Sequence, residues 1–387
     1  MKKILLVIIM FLMIPLNVQA QTLVEKQKPQ LNQEQSSRVE SLYDYMTNVK
    51  TKYEILNDMD VKTYVKDYMK NGSGNISAGK FAKAILMYSF REVIACSKLM
   101  AMIIIIAIIC ALINNLENAF SNGNLSNVAY FACYALLIII VTKSFYIGVL
   151  EIKDILKGMT DFMAALIPVL LMLLASVGGF TEAATMDPVI IGVTNISARV
   201  FTDLILPIIT ISFVIQLCNN ISSDHKMEKL SGLLNKSVLW IQGIIMTIFI
   251  GVITIRGLTT STIDAVAEKT VKFAIDNFVP VVGKSLSDAI STVAGYSLLL
   301  KNALSSVGLV ILVTIILFPI IKMLAMGFIY KLTGALIEPI SDSKLVKCIE
   351  SAGDSIILMT SCVISVSVMF FIIICIIAGA GRGAIGI

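Results

Sequence analysis

The chain has 387 residues, of which 57% are hydrophobic and 15% charged, and its mean hydropathy is +0.87. This composition lies far from that of a soluble domain and predicts a membrane protein. The net charge of +5 is spread over many short segments, which excludes a basic face for nucleic acid.

The first twenty residues, "MKKILLVIIMFLMIPLNVQA", have the pattern of a secretory signal peptide. Lys2 and Lys3 precede an apolar run from Ile4 to Leu16, and Val18-Gln19-Ala20 is a small-x-small cleavage site. We predict cleavage after Ala20; the alternative is an uncleaved membrane anchor.

Residues 21–95 then predict an exported amphipathic helical region. Apolar residues recur at steps of three and four, which places them on one face of a helix: Val39, Leu42, Met46, Val49, Tyr53 and Leu56. A second helix is predicted from Val61 to Met69. The first stripe has two interpretations: it packs on this second helix, or it docks on a partner protein.

The stretch "NGSGNISAGKFAK", residues 71–83, has the glycine and lysine spacing of a phosphate-binding loop. Phe81 stands where that loop needs Ser or Thr to hold Mg²⁺, and an amphipathic helix precedes it where a buried strand is required. The stretch is therefore interpreted as a hinge between two helices. The basic, amphipathic segment after it, from Lys80 to Leu99, is predicted to lie among lipid headgroups.

Seven apolar runs are each long enough to cross a bilayer as a helix. They divide into five spans within residues 96–256 and two within residues 305–387, and they fall at about 99–116, 128–149, 162–180, 201–218, 238–256, 305–328 and 356–378. The fold class is thus predicted as an all-α polytopic membrane bundle. Basic residues are balanced between the two sides, so only the signal peptide indicates an N-terminus outside the cytoplasm.

Residues 257–304 are too polar to span the membrane and too apolar to be a free loop. Pro280 and Gly283 interrupt the chain within "NFVPVVG", which favours an amphipathic or re-entrant helical hairpin. The alternative is a pair of helices lying on the membrane surface.

Ionisable residues inside spans are candidates for a transport path. Asp203 lies near the start of the fourth span, with Arg199 four residues earlier and close enough to pair. Lys322 lies inside the sixth span, just after Pro319. Pro280, Gly283, Asp203 and Lys322 are the candidate structural or pore residues, although snorkelling to the interface is the simpler interpretation for Arg199 and Lys322.

Catalytic motifs are absent from the sequence. The single His225 excludes a multi-histidine metal site, and neither a GxSxG motif nor a close cysteine pair occurs. We expect no enzyme activity, no catalytic residue, no metal and no cofactor.

The order of these features resembles the stage III sporulation protein AE family of endospore-forming bacteria. The resemblance is most specific from Gly257 to Gly308 and in "ALIEPISDSKLVKCIESAGDSI", residues 335–356, with its Glu338-Pro339 and Gly353-Asp354 pairs. It implies a mother-cell membrane subunit, in the outer forespore membrane, of a channel complex that joins the mother cell to the engulfed forespore. The partners it implies are ring-forming proteins and a separate ATPase.

A second function is a stand-alone secondary transporter for a small solute. Such transporters carry broken helices at matching positions in two repeated halves. In the sequence, the segment around Pro280 is the one candidate for a broken helix, and it has no convincing counterpart, which argues against a transporter. Pro168 and Pro207 weaken this argument.

Overall fold

All regular elements in the described part of the chain are helices, which confirms the all-α class. The computed structural model describes residues 33–50, 60–72, 78–119, 123–177, 180–221, 227–278, 283–341 and 343–380. The predicted signal peptide, residues 1–20, lies outside these ranges.

In the described part of the chain, two helices precede the long-helix bundle. These two are α1 (Gln33–Lys50) and α2 (Val61–Asn71). The long-helix bundle consists of α3 (Ala78–Ala119), α4 (Gly123–Ala175), α5 (Phe180–Arg199), α6 (Leu206–Ile221), α7 (Glu228–Phe278), α8 (Gly283–Ile337) and α9 (Ser343–Gly379). A π-helical segment, Val200–Ile205, joins α5 to α6 without a break.

The apolar faces predicted for α1 and α2 are confirmed where the structure describes them. Val39, Leu42 and Met46 of α1 are buried, and so are the four apolar residues that set the period of α2, namely Val61, Tyr64, Val65 and Tyr68. Tyr53 and Leu56 lie outside the described residues. The face of α1 packs mainly against α4, and only in part against α2, so its main contact is the long-helix bundle of its own chain.

The predicted hinge is confirmed at both of its ends. Helix α2 ends at Gly72, whose φ of 72° is left-handed, and whose amide donates to the carbonyl oxygen of Tyr68 at 2.8 Å. This is a common helix termination for glycine, which has no Cβ to clash in that conformation. Helix α3 then starts at Ala78, and the residues between, 73–77, lie outside the described part. Because a helix precedes this stretch, the strand that a phosphate-binding loop needs is not there.

Six ranges of the described residues are long and apolar enough to cross a membrane, where the sequence predicted seven. These ranges are Ala82–Ile113, Tyr134–Ala175, Pro188–Asn219, Glu228–Thr254, Ala294–Ile337 and Ser343–Gly379. The difference arises in α4, a single helix of 53 residues that contains the predicted span 128–149 and most of the predicted span 162–180, up to Ala175. The polar stretch between them stays helical because Ile152, Ile155, Leu156 and Met159 form one buried stripe at helical spacing.

The basic segment predicted to lie among headgroups is the first part of a continuous helix, α3. Tyr88 of this segment packs edge-on against Phe318 of α8, with ring centroids 4.6 Å apart. Leu86, Met87, Phe90 and Ile94 of the same segment are exposed, so one side of the segment packs on the bundle and the other does not. Whether that other side lies among headgroups stays a prediction.

The block 257–304 forms the end of α7 and the start of α8. Helix α7 continues to Phe278 and α8 begins at Gly283, so the two helices flank the predicted break, whose residues 279–282 lie outside the described part. Pro280 lies outside the described residues, as do the side chains of residues 255–293. Whether this hairpin enters the bilayer stays a prediction.

Helix α8 is the centre of the bundle. It contacts α2, α3, α4, α7 and α9, and its residues between Leu300 and Ile316 are buried on nearly all sides. A helix that is apolar all round is expected in such a position. Groups that interrupt this apolar surface are therefore the natural candidates for a functional site.

Candidate functional site

Lys322 of α8 forms an ion pair with Glu151 of α4. The ammonium nitrogen lies 2.8 Å from a carboxylate oxygen, and the two side chains are 39% and 25% exposed. Close packing brings these helices together beside the pair, since a Cβ on Gly148 would lie 3.0 Å from the terminal methyl of Met326. The predicted pore cation is thus a partly shielded charge with a partner, and it links two helices at their interface.

Asp203 lies on the surface of the bundle, in the π-helical segment. The amide of Leu206 bonds to the carbonyl oxygen of Phe201, five residues earlier. Pro207 explains this wide turn, because an α-helix would press its ring against the carbonyl of Asp203. The exposed Arg199 and Asp203, which the sequence places close enough to pair, form no ion pair in the described structure. A surface pair gains little stability in any case.

A second polar group, which sequence reasoning missed, lies on a buried face of α8. Ser297, Lys301 and Ser305 follow one another at i, i+4 and i+8, and all three are buried. The Lys301 ammonium donates to the carbonyl oxygens of Ile377 at 2.9 Å and Ala378 at 3.3 Å, and also to that of Ala380.

These carbonyls belong to the C-terminal end of α9, where a helix leaves its last acceptors without internal partners. A cation there also interacts favourably with the negative end of the helix dipole. Lys301 therefore ties the end of α9 to the middle of the bundle. In the sequence, the one sign of this contact is a lysine in the apolar run "YSLLLKNALSSVG". Its partner carbonyls are more than 70 residues away, so the sequence does not identify them.

Helix α2 covers α8 next to this group. The hydroxyls of Tyr64 and Ser306 lie 3.0 Å apart and are hydrogen-bonded. On α1, Tyr43 is half-buried. Burial raises the pKa of its phenol to about 12, with smaller contributions from Tyr296 and Glu40. The N-terminal helices are thus an integral part of the bundle surface.

A third polar contact joins α7 to α9. The side-chain amide of Gln242 donates to the sulfur of Cys362 at 2.9 Å and accepts from the hydroxyl of Ser361 at 3.2 Å. Polar side chains that pair across helices in this way stabilise membrane bundles.

The family-like segment around residues 335–356 forms the α8–α9 turn and its packing. Glu338-Pro339 lies in the turn after α8. Gly353 faces α8 so closely that an added Cβ would lie 3.1 Å from Tyr330 Cβ and 3.2 Å from the Gly327 carbonyl oxygen. Its neighbour Asp354 pairs with Lys331 at 2.7 Å. A side chain at this position would require the neighbouring atoms of α8 to move by a few tenths of an ångström.

The candidate residues that the structure describes lie in different parts of the fold. Lys322 lies at the α4–α8 interface, Asp203 on the outer surface, Gly283 at the start of α8, and Pro280 outside the described part. Helices α4, α5 and α8 continue through Pro168, Pro188 and Pro319. The described spans therefore lack the paired broken helices of the transporter hypothesis.

Comparison with known proteins gives two matches. The model of the family described as stage III sporulation protein AE matches residues 59–381, from just before α2 to just after α9. The curated stage III sporulation protein AE of Bacillus subtilis (strain 168) is 34% identical over 347 residues, which cover 90% of this chain and 87% of the relative. No solved structure matches significantly.

Proposed function

Because the chain belongs to the stage III sporulation protein AE family and so has a role in sporulation, we propose that it is a polytopic membrane subunit of a channel complex. This complex would join the mother cell to the engulfed forespore, and the protein would act after engulfment from the outer forespore membrane. The extent of the family match carries the proposal, since it includes eight of the nine helices named above.

The bundle suits a subunit that works by contact with other proteins. Six apolar helices hold it in the membrane, while α1 and α2 are docked on one part of it with a charged outer face. We propose that ring-forming proteins and a separate ATPase are its partners and that it has no enzyme activity of its own. In support, the ionisable groups described above hold helices together: Lys301 binds carbonyls, and Lys322 binds Glu151.

An in-frame deletion in the native host tests this function. Cells starved to induce sporulation are followed by membrane-stain microscopy and by a late reporter expressed only in the forespore. We expect engulfment to finish, forespores to shrink and the reporter to stay silent, with rescue by the wild-type gene at a second locus. Normal spores with an active reporter would contradict the proposal. The stand-alone transporter would then be the better hypothesis.

A further inference from the structure

The outer face of α4 changes character sharply along its length. Between residues 131 and 150 the exposed large side chains are apolar except for Lys143: they are Phe131, Leu136, Ile139, Tyr146, Ile147 and Leu150. Lys143 lies about two turns before Leu150, and a lysine there can extend its ammonium towards the headgroups. Twenty helical residues rise about 30 Å, which is the thickness of the hydrocarbon core of a bilayer. This part of α4 has the surface of a lipid-facing helix.

The next three turns of the same face are charged. Lys153, Asp154, Lys157 and Asp161 are all exposed. Four ionisable groups in nine residues are costly in hydrocarbon but ordinary in water or among headgroups. Helix α4 therefore leaves the apolar part of the membrane between Leu150 and Lys153.

Beyond Asp161, helix α1 covers α4. Tyr45 stacks on Phe162 with ring centroids 6.5 Å apart, and the Gln35 amide donates to the Ser176 hydroxyl at 2.8 Å. The exposed part of α1 carries charged side chains, among them Glu34 and Arg38, which pair at 2.8 Å and are 77% and 53% exposed. A helix with this outer face belongs in water, so the part of α4 beneath it does as well.

We propose that α4 crosses the bilayer once, over residues 131–150, and that its residues 153–177 stand in water in a head formed with α1 and α2. The head would rise roughly 35 Å above the membrane along α4. The apolar segment 162–176 is then the core of this head, shielded by protein. Its hydropathy equals that of a membrane span because a buried core and a lipid-embedded helix need the same residues.

Thiol labelling in intact cells tests the placement. All seven native cysteines are first replaced, and Asp161→Cys, Ala184→Cys and Ile139→Cys are made singly in the full chain. Positions 161, 184 and 139 are all exposed on the protein, but only 139 faces lipid in our placement. A charged, membrane-impermeant maleimide is applied to intact protoplasts and to opened ones.

We expect Asp161→Cys and Ala184→Cys to behave alike, both reacting in intact protoplasts or both only in opened ones. Ile139→Cys should resist the reagent until detergent is added. A helix that crossed the membrane again over 162–180 would place positions 161 and 184 on opposite sides. Opposite behaviour would therefore overturn the proposal.

Crosslinking gives a second readout that keeps the native cysteines. Gln35→Cys and Ser176→Cys are combined, and a short, impermeant bis-thiol reagent is added to intact and to opened protoplasts. We expect crosslinking in the double variant and in neither single variant, from the side on which positions 161 and 184 react. Labelling of Gln35→Cys without any crosslink to Ser176→Cys would show that α1 does not cover α4, which contradicts the head.

Discussion

Lys301 of α8 reaches the end of α9, where its ammonium nitrogen donates to the carbonyl oxygen of Ile377 at 2.9 Å. The two residues are 76 positions apart, and the contact closes the C-terminal end of the last helix. It joins the helix at the centre of the bundle to the helix that packs along most of its length.

Replacing this lysine should destabilise the protein. Lys301→Met keeps much of the volume but leaves buried carbonyls of α9 without a donor, which costs about 1–3 kcal/mol for such a group. We expect a lower midpoint of thermal unfolding, measured by fluorescence-detected gel filtration in mild detergent. Lys157→Met on the exposed face of α4 is the control and should leave the midpoint unchanged. Equal midpoints for the two variants would contradict this prediction, because they would mean that water donates to the α9 carbonyls in place of the lysine.

Gly353→Ala should also destabilise the bundle. Its Cβ would press on the Tyr330 Cβ and on the backbone oxygen of Gly327, and a backbone atom cannot move aside cheaply. The expected loss is about 1–3 kcal/mol, as for other insertions into packed regions. Gly158→Ala is the matched control, since nothing lies within 4 Å of its Cβ position. Alanine there should gain up to about 1 kcal/mol of helix propensity. The same gel-filtration assay would refute the close packing if both changes raised the midpoint.

Local periodicity was enough to predict part of this structure. The spacing of Val61, Tyr64, Val65 and Tyr68 gave the buried face of α2, because helical neighbours three and four apart share a face. The contacts of Lys301 and Lys322 could not be predicted, since their partners lie 76 and 171 residues away and depend on how whole helices associate. The continuity of α4 is hidden in the sequence for another reason: the charges of residues 151–161 interrupt the apolar pattern between two predicted spans, although these residues share a helix with a buried stripe.

Alkaline pH should weaken the protein through Tyr43. Burial raises the pKa of this phenol to about 12 in the folded chain, from an ordinary value of 10.0. The folded state therefore holds the proton more tightly, and the stabilisation is complete below pH 10 and is lost as the pH rises towards 12. Tyr43→Phe has no proton to lose, so its unfolding midpoint should fall less than that of the wild type between pH 10 and 12. Parallel curves for the two proteins would contradict the burial of this hydroxyl.

Exchanging the charges of Glu151 and Lys322 distinguishes a structural pair from a pore site. Each single variant, Glu151→Lys or Lys322→Glu, places like charges together at the α4–α8 interface and should lower the unfolding midpoint. The double variant restores an ion pair of reversed direction and should recover most of the loss, which is about 1 kcal/mol for a partly exposed pair. If the pair only joins helices, the double variant should also restore spore formation in the deletion strain. Recovered stability without recovered sporulation would instead show that the sign of the charge at position 322 matters to function, as a conduit would require.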